Sequence, residues 1–281
     1  MFSQGHLIWI AISAVLIAAG TNTCLRLRPP LRRVLYFSLV LGILSEVIKV
    51  FSVTQIVPMV DPVIVTQDGA AALQWIPTGE YTPYLAMEHM PLELCSLFLV
   101  FMLLALVLKD GPWKHGLYAV MFASGLLGGL LGIFASSIAG DFETTAAFFA
   151  APRAWQFFLY HSMIVTVSIY MGFGGESGLC QEDWKKAILG LLLLDIPTFY
   201  LNSVLSSEVY LHDQVVGVTH RINFFSSYVN PFGLVLTEKW QWLAYLLLRV
   251  AVIAGLIRGL YRLLGRKGKE TSHGNGSDRA D

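Results

Sequence analysis

The chain has 281 residues, and its 19 Lys and Arg residues balance 19 Asp and Glu residues, so the formal net charge is zero. Hydrophobic residues make up 55% of the sequence and charged residues only 14%, whereas soluble domains carry about 25% charged residues. This composition excludes an ordinary soluble globular domain and indicates a protein whose main solvent is lipid. No nucleic-acid partner is expected.

Seven apolar stretches are long enough, or nearly so, to cross the hydrocarbon layer, which takes about 20 residues of helix. They cover approximately residues 6-24, 34-54, 90-108, 116-138, 156-173, 187-205 and 240-261. Because backbone groups in lipid must be satisfied within their own segment, each stretch is predicted to be a helix. We predict an all-α polytopic transmembrane bundle of seven helices, forming one domain over residues 1-266. The polar, Gly- and Ser-rich tail over residues 267-281 is predicted to be disordered.

The basic residues predict the orientation of this bundle. Of the 19 Lys and Arg residues, 14 fall in the loops and tail on one side, three fall on the other side, and Lys49 and Arg249 lie within helices. The positive-inside rule then predicts an external N-terminus and a cytosolic C-terminus. The first basic residue, Arg26, follows the first apolar stretch, which argues against a cleaved signal peptide. The short cytosolic loops favour an integral multi-pass protein of a bacterial cytoplasmic membrane.

Two predicted outer loops are long, at residues 55-89 and 206-239, and both are partly apolar. Long loops in compact proteins are often functional lids. These two are therefore expected either to insert partly into the bilayer over a cavity or to pack at the membrane interface.

Ionisable residues within the predicted helices are costly in lipid and are functional candidates. They are Glu46, Lys49, Glu93, His161, Asp195 and Arg249. Glu46 and Lys49 are three residues apart on one helix face and are expected to form an ion pair. Asp195 and Arg249 are expected to pair across two helices. The simplest interpretation of both pairs is structural.

Cys95 and His161 suggest a reactive site. The two helices are predicted to start near residues 90 and 156. With a rise of about 1.5 Å per residue, both residues lie ~8 Å below the outer boundary of the membrane. A neighbouring His can take the proton of a thiol and produce a nucleophilic thiolate. The alternatives are a buried Cys acting as a small hydrophobic residue and a His that satisfies a packing hydrogen bond.

The residues alone leave two other classes of protein open. A zinc-dependent lipid hydrolase would use histidines and carboxylates on the outer side, where His89, Glu93, His161, His212 and His220 fall. No His-x-x-x-His or His-Glu-x-x-His pair is present, so no metal ligand set is predicted. The other class is a non-catalytic transporter or receptor with a polar intramembrane cavity. A retinal protein is excluded because the last helix contains no Lys for a Schiff base.

Several short motifs in this sequence resemble those of a known protein family. The run from His89 to Ser96, His-Met-Pro-Leu-Glu-Leu-Cys-Ser, resembles the Leu-Pro-Leu-x-Leu-Cys signature of the YwaF-like integral membrane proteins. That family is related to the transmembrane-protein-164-type phospholipid acyltransferases. Residues 157-162, Phe-Phe-Leu-Tyr-His-Ser, resemble its aromatic segment ending in His, and Asn202 and Asn223 resemble later landmarks. Two departures are a long stretch between these asparagines and a degraded Trp-rich entry to the last helix.

The resemblance implies a membrane-embedded lipid acyltransferase, or an acyl hydrolase, that forms an acyl-thioester in the outer half of the bilayer. Cys95 would be the nucleophile and His161 the base. The supporting or substrate-binding residues implied are Glu46, Lys49, Glu93, Asn202 and Asn223. Phospholipid and lysophospholipid would be the substrates among membrane lipids, no cofactor is expected, and the oligomeric state is left open.

Overall fold

The structure is a computed structural model, and it describes residues 3–67, 70–86, 89, 93–136, 138–205, 207–211, 214–219 and 236–274. The helices are α1 (Gln4–Leu27), α2 (Leu31–Val53), α3 (Leu94–Val107), α4 (Pro112–Phe134), α5 (Thr145–Ala150), α6 (Pro152–Phe173), α7 (Trp184–Val204) and α8 (Lys239–Gly274). The strands are β1 (Gln55–Gln67), β2 (Ala70–Tyr84), β3 (Ser207–Leu211) and β4 (Gln214–Thr219).

The predicted class, an all-α helical membrane bundle, is confirmed. Each of the seven predicted stretches overlaps one long helix, and α5 is a short additional helix. By length and composition, five segments are apolar enough to cross a membrane: α1, α2, α4, Gln181–Val204 and Lys239–Gly265. Large apolar side chains on these helices point outward, with Phe51 88% exposed. An exposed apolar surface of this kind suits contact with lipid.

Helix α6 lies at the centre of the bundle and packs against α1, α2 and α4. Thirteen of its 22 residues are buried, among them Gln156, His161 and Ser168. Because α6 is surrounded by protein on several sides, it can carry polar side chains that would be costly in contact with lipid.

Glycines of α4 allow it to approach α6 closely, as their small size predicts. A Cβ atom added at Gly129 would lie 2.6 Å from the Val165 side chain of α6. Gly128 differs, because its Cβ would lie 3.7 Å from the nearest atom, in Leu94. The close approach of the two helices therefore requires glycine at position 129, whereas Gly128 has room for a methyl group.

The two long outer loops contain strands. β1 and β2 form an antiparallel hairpin from the pair Gln55 and Tyr84 to the pair Gln67 and Ala70, and its register shifts between Pro58 and Val60. β3 and β4 form a second, shorter hairpin. Among the described residues, each strand contacts mainly its own hairpin partner. The many β-branched residues of β1 favour an extended conformation, in which the ladder satisfies the backbone polar groups.

Both predicted ion pairs are confirmed. Glu46 and Lys49 pair within α2, and Asp195 of α7 pairs with Arg249 of α8. The second pair joins helices that are adjacent in the chain across a long loop, and it fixes the position of one against the other.

A further polar contact holds α4 to α7 near the basic side of the bundle. The side chain of Asp183 is 3% exposed. Its carboxylate lies 2.8 Å from Nε2 of His115 and accepts hydrogen bonds from Nζ of Lys186 and from the amide of Cys180. One buried carboxylate therefore connects the start of α4, the turn before α7 and the first turn of α7.

Candidate functional site

Helix α6 presents a row of polar side chains towards α2. Arg153, Gln156 and Tyr160 recur at intervals of three and four residues, which places them on one helix face. The Arg153 guanidinium donates a hydrogen bond to the side chain of Gln156. The amide of Gln156 donates in turn to Oγ of Ser45 in α2, over 2.8 Å. The row therefore forms a continuous polar connection between α6 and α2.

Cys95 lies in the first turn of α3, which begins one residue earlier at Leu94. The Tyr160 hydroxyl of α6 donates a hydrogen bond of 2.7 Å to the Cys95 carbonyl oxygen. This contact holds the turn that carries the thiol against α6. The amide and hydroxyl of Ser96 are the hydrogen-bonding groups that interact with the sulfur.

His161 follows Tyr160 in α6 and is buried. Its Nδ1 lies 2.7 Å from the carbonyl oxygen of Phe157. Because a carbonyl can only accept, Nδ1 carries a proton, and in the neutral ring the lone pair is then on Nε2. The Phe157 ring packs on the imidazole, with centroids 4.2 Å apart. On another side the ring lies against Gly132, where a Cβ would be 2.5 Å from Nε2.

Charged side chains surround the thiol. Glu93 and Lys49 both interact electrostatically with Cys95. Arg153 interacts electrostatically with Glu46, with Cys95 and with Asp141. Lys49 is only 6% exposed and is paired with Glu46. The charges that act on Cys95 therefore come from α2, from α6 and from the residue before α3.

Some of the residues predicted for the site lie near one another. Glu46, Lys49 and Glu93 lie in the electrostatic environment of Cys95 or Arg153, and Tyr160, which precedes His161 in α6, contacts the Cys95 turn. Within the part of the chain that is described, no hydrogen bond joins the Cys95 sulfur to the His161 ring.

The depth estimate from helix starts is corrected. α3 begins at Leu94 rather than near residue 90, and α6 begins at Pro152 rather than near residue 156. Counted from these starts, Cys95 and His161 are not equally deep. The contact between the two helices near Cys95 is the hydrogen bond from the Tyr160 hydroxyl of α6 to the first turn of α3.

The predicted asparagines are not part of the described cluster. Asn202 is fully buried, and α7, which carries it, packs mainly against α4 and α8. Asn223 lies outside the described residues, as do His212 and His220. Over the described ranges, no group of three or more His, Cys, Asp or Glu residues is arranged to hold a metal ion.

Three residues of the cluster were missed from the sequence. Arg153 had been assigned to an outer loop because the helix was predicted to start after it, and Gln156 and Tyr160 are not ionised at neutral pH. The signal that would have found them is their spacing in the sequence, since polar residues at 153, 156 and 160 lie on one face once the helix begins at Pro152.

These features define an integral helical membrane protein with a polar cluster enclosed among its helices. A family-level comparison matches residues 1–258, and the chain belongs to the TMEM164 family. A search of curated proteins and a search of solved structures find no match.

Proposed function

We propose that the protein is a membrane-embedded lipid acyltransferase that carries the acyl group as a thioester on Cys95. The observation that supports this most directly is the hydrogen bond from Tyr160 to the Cys95 carbonyl, next to a His161 ring with its lone pair on Nε2. The motif resemblance to YwaF-like proteins and to phospholipid acyltransferases points to the same chemistry, as does a lipid-facing bundle.

In the first step, Nε2 of His161 takes the proton of the Cys95 thiol, and the sulfur attacks the carbonyl carbon of a phospholipid ester. The carbon–oxygen bond to the glycerol breaks, and the leaving oxygen takes the proton from His161. The products are a lysophospholipid and an acyl-thioester on Cys95. Among the described residues no hydrogen bond joins the thiol to the imidazole, and catalytic hydrogen bonds often shorten only when substrate is bound.

In the second step, the hydroxyl of an acceptor lysophospholipid gives its proton to Nε2 of His161 and attacks the thioester carbonyl. The carbon–sulfur bond breaks, and the thiolate takes the proton back. A site enclosed in apolar helices excludes water and so favours transfer over hydrolysis. With water as acceptor, the same two steps would make the protein an acyl hydrolase.

The cations beside Cys95 have a role in this scheme. A tetrahedral intermediate carries a negative oxygen, and fixed positive charge nearby lowers its energy. Lys49 and Arg153 both interact electrostatically with Cys95. We assign Lys49 to the developing oxyanion and Arg153 to the phosphate of the lipid headgroup, because a planar guanidinium suits bidentate binding of phosphate. Glu46 holds Lys49 in position.

The same proposal includes the orientation of the protein in the membrane and the membrane in which it is found. The distribution of basic residues supports an external N-terminus and a site in the outer half of the bilayer. The short cytosolic loops favour a bacterial cytoplasmic membrane as host.

The test is to trap the acyl-enzyme. Purified full-length protein is incubated with a phospholipid that carries a labelled acyl chain, and the labelled protein is then treated with neutral hydroxylamine, which cleaves thioesters. We expect hydroxylamine-sensitive label on wild-type protein, none on Cys95→Ala, and wild-type label on the matched control Cys24→Ala. Label should also be lost in His161→Ala.

Two outcomes would contradict the proposal. One is label that persists in Cys95→Ala. The other is the absence of label in the wild type together with saturable binding of the same phospholipid, which would indicate a binding cavity of a transporter or receptor.

A further inference from the structure

A groove of about 480 Å³ runs along α1, away from the polar cluster. One wall is α1 from Ile10 to Leu25, and the other is formed by the end of α4 and by Ile169 of α6. Its lining is almost entirely apolar. The volume falls within the range of about 300–1,000 Å³ that is usual for small-molecule sites.

The length of the groove matches one leaflet of a bilayer. From Ile10 to Thr21 the helix rises ~16 Å. Half of the hydrocarbon core of a bilayer is ~15 Å. An extended acyl chain lying beside α1 would therefore fill the groove from one end to the other.

Two hydroxyl groups in the groove are buried and have no hydrogen-bond partner among the described residues. They are Oγ of Ser13 and Oγ1 of Thr21, and Ser13 itself is fully buried. A buried hydroxyl without a partner is costly in an apolar environment. Thr21 lies one helical turn before the Leu25 end of the groove, and the carbonyl of a lipid ester at that level would accept its hydrogen bond.

Positive charge lies just beyond that end. Asn22 lines the groove, and its side-chain oxygen accepts a hydrogen bond of 3.0 Å from Nε of Arg26. Arg26 is exposed and is one helical turn further along α1. The remaining donors of its guanidinium can bind a phosphate.

We propose that this groove binds one acyl chain of an anionic glycerophospholipid, with the ester at Thr21 and the phosphate at Arg26. The site is separate from Cys95 and does not depend on the proposed acyl transfer. The groove lies beside α4 and α6, the two helices whose packing encloses His161. A lipid bound there would therefore stabilise the packing of the bundle.

The test uses full-length protein in phosphatidylcholine nanodiscs with a trace of photoreactive phosphatidylglycerol, whose diazirine is in one acyl chain. Cross-links should map to the facing segments of α1 and α4. Ala18→Trp places an indole in the groove and should abolish them. The matched control Ala19→Trp is exposed on the same helix but does not line the groove, and it should leave the cross-links unchanged.

Headgroup recognition is tested separately. Arg26→Ala should lower the cross-linking yield of the phosphatidylglycerol probe about fivefold, and it should not change the cross-linking yield of the matching phosphatidylcholine probe. Arg26 is exposed, so this variant stays informative if Ala18→Trp does not fold. Cys95→Ala should leave every yield unchanged, which separates this proposal from acyl transfer. Cross-links that Ala18→Trp does not reduce, or equal yields for the two headgroups in the wild type, would indicate non-specific annular lipid and overturn the proposal.

Discussion

Gly132 of α4 offers a sharp test of the proposed base, because a single methyl group at this position reaches the His161 ring. A Cβ added there would lie 2.3 Å from Cδ2 and 2.5 Å from Nε2 of the imidazole. Favourable contacts begin at about 3.5 Å, so the ring must move by ~1 Å. The ring is held by its hydrogen bond to Phe157 and by stacking on that residue, and it has no free direction in which to relax.

The expected effect of Gly132→Ala is large on activity and modest on stability. A displacement of ~1 Å at a catalytic group costs about 100-fold in rate. Overpacking destabilises by about 1–3 kcal/mol, and the better helix propensity of Ala returns about 1 kcal/mol. The net loss in unfolding free energy is therefore at most ~2 kcal/mol.

The control is Gly128→Ala, one turn earlier on α4. Its Cβ would have its nearest neighbour at 3.7 Å, an ordinary contact, so activity should be unchanged. The assay is acyl transfer from phospholipid to lysophospholipid in proteoliposomes, with thermal unfolding in detergent measured in parallel. Wild-type transfer by a folded Gly132→Ala protein would refute the placement of the base at Nε2 of His161.

The remaining predictions concern single contacts. Tyr160→Phe removes the hydrogen bond to the α3 backbone and should cost about 1 kcal/mol of unfolding free energy with slower transfer. Tyr36→Phe, at an exposed position, should change neither quantity. Asp183→Asn breaks a buried contact between helices and should cost about 3 kcal/mol in thermal unfolding, whereas Asp110→Asn, whose side chain is 96% exposed, should have no effect. Burial and the hydrogen bond to Asp183 raise the pKa of the Cys180 thiol, so its labelling by an impermeant maleimide should accelerate as pH rises. With a cytosolic Cys180 this labelling should occur in inside-out vesicles, and equal labelling of right-side-out vesicles would contradict the predicted topology.

The helices could be predicted from the sequence because the signal is local. Hydropathy over about 20 residues decides whether a segment is stable in lipid, and each predicted stretch overlaps a helix. The pair of Glu46 and Lys49 was also predictable, since three residues of separation place both side chains on one face of α2.

The composition of the site was only partly predictable. Cys95 and His161 stand out as reactive residue types in apolar stretches. Arg153 could not be assigned without the start of α6, and a shift of four residues in that boundary moved it from a loop into the cluster. Boundaries are poorly determined by composition, since helix ends depend on what the adjoining chain contacts.

The sequence by itself therefore determined that the protein is a helical bundle in lipid, where its apolar helices lie along the chain, and which polar residues lie within them. The tertiary structure decided which helix is central and which faces meet. Tyr160 reaches the first turn of α3, and the absence of a side chain at Gly132 leaves space for His161. The physical reason is that solvation by lipid acts on each segment independently, whereas close packing depends on the shapes of two surfaces far apart in the chain.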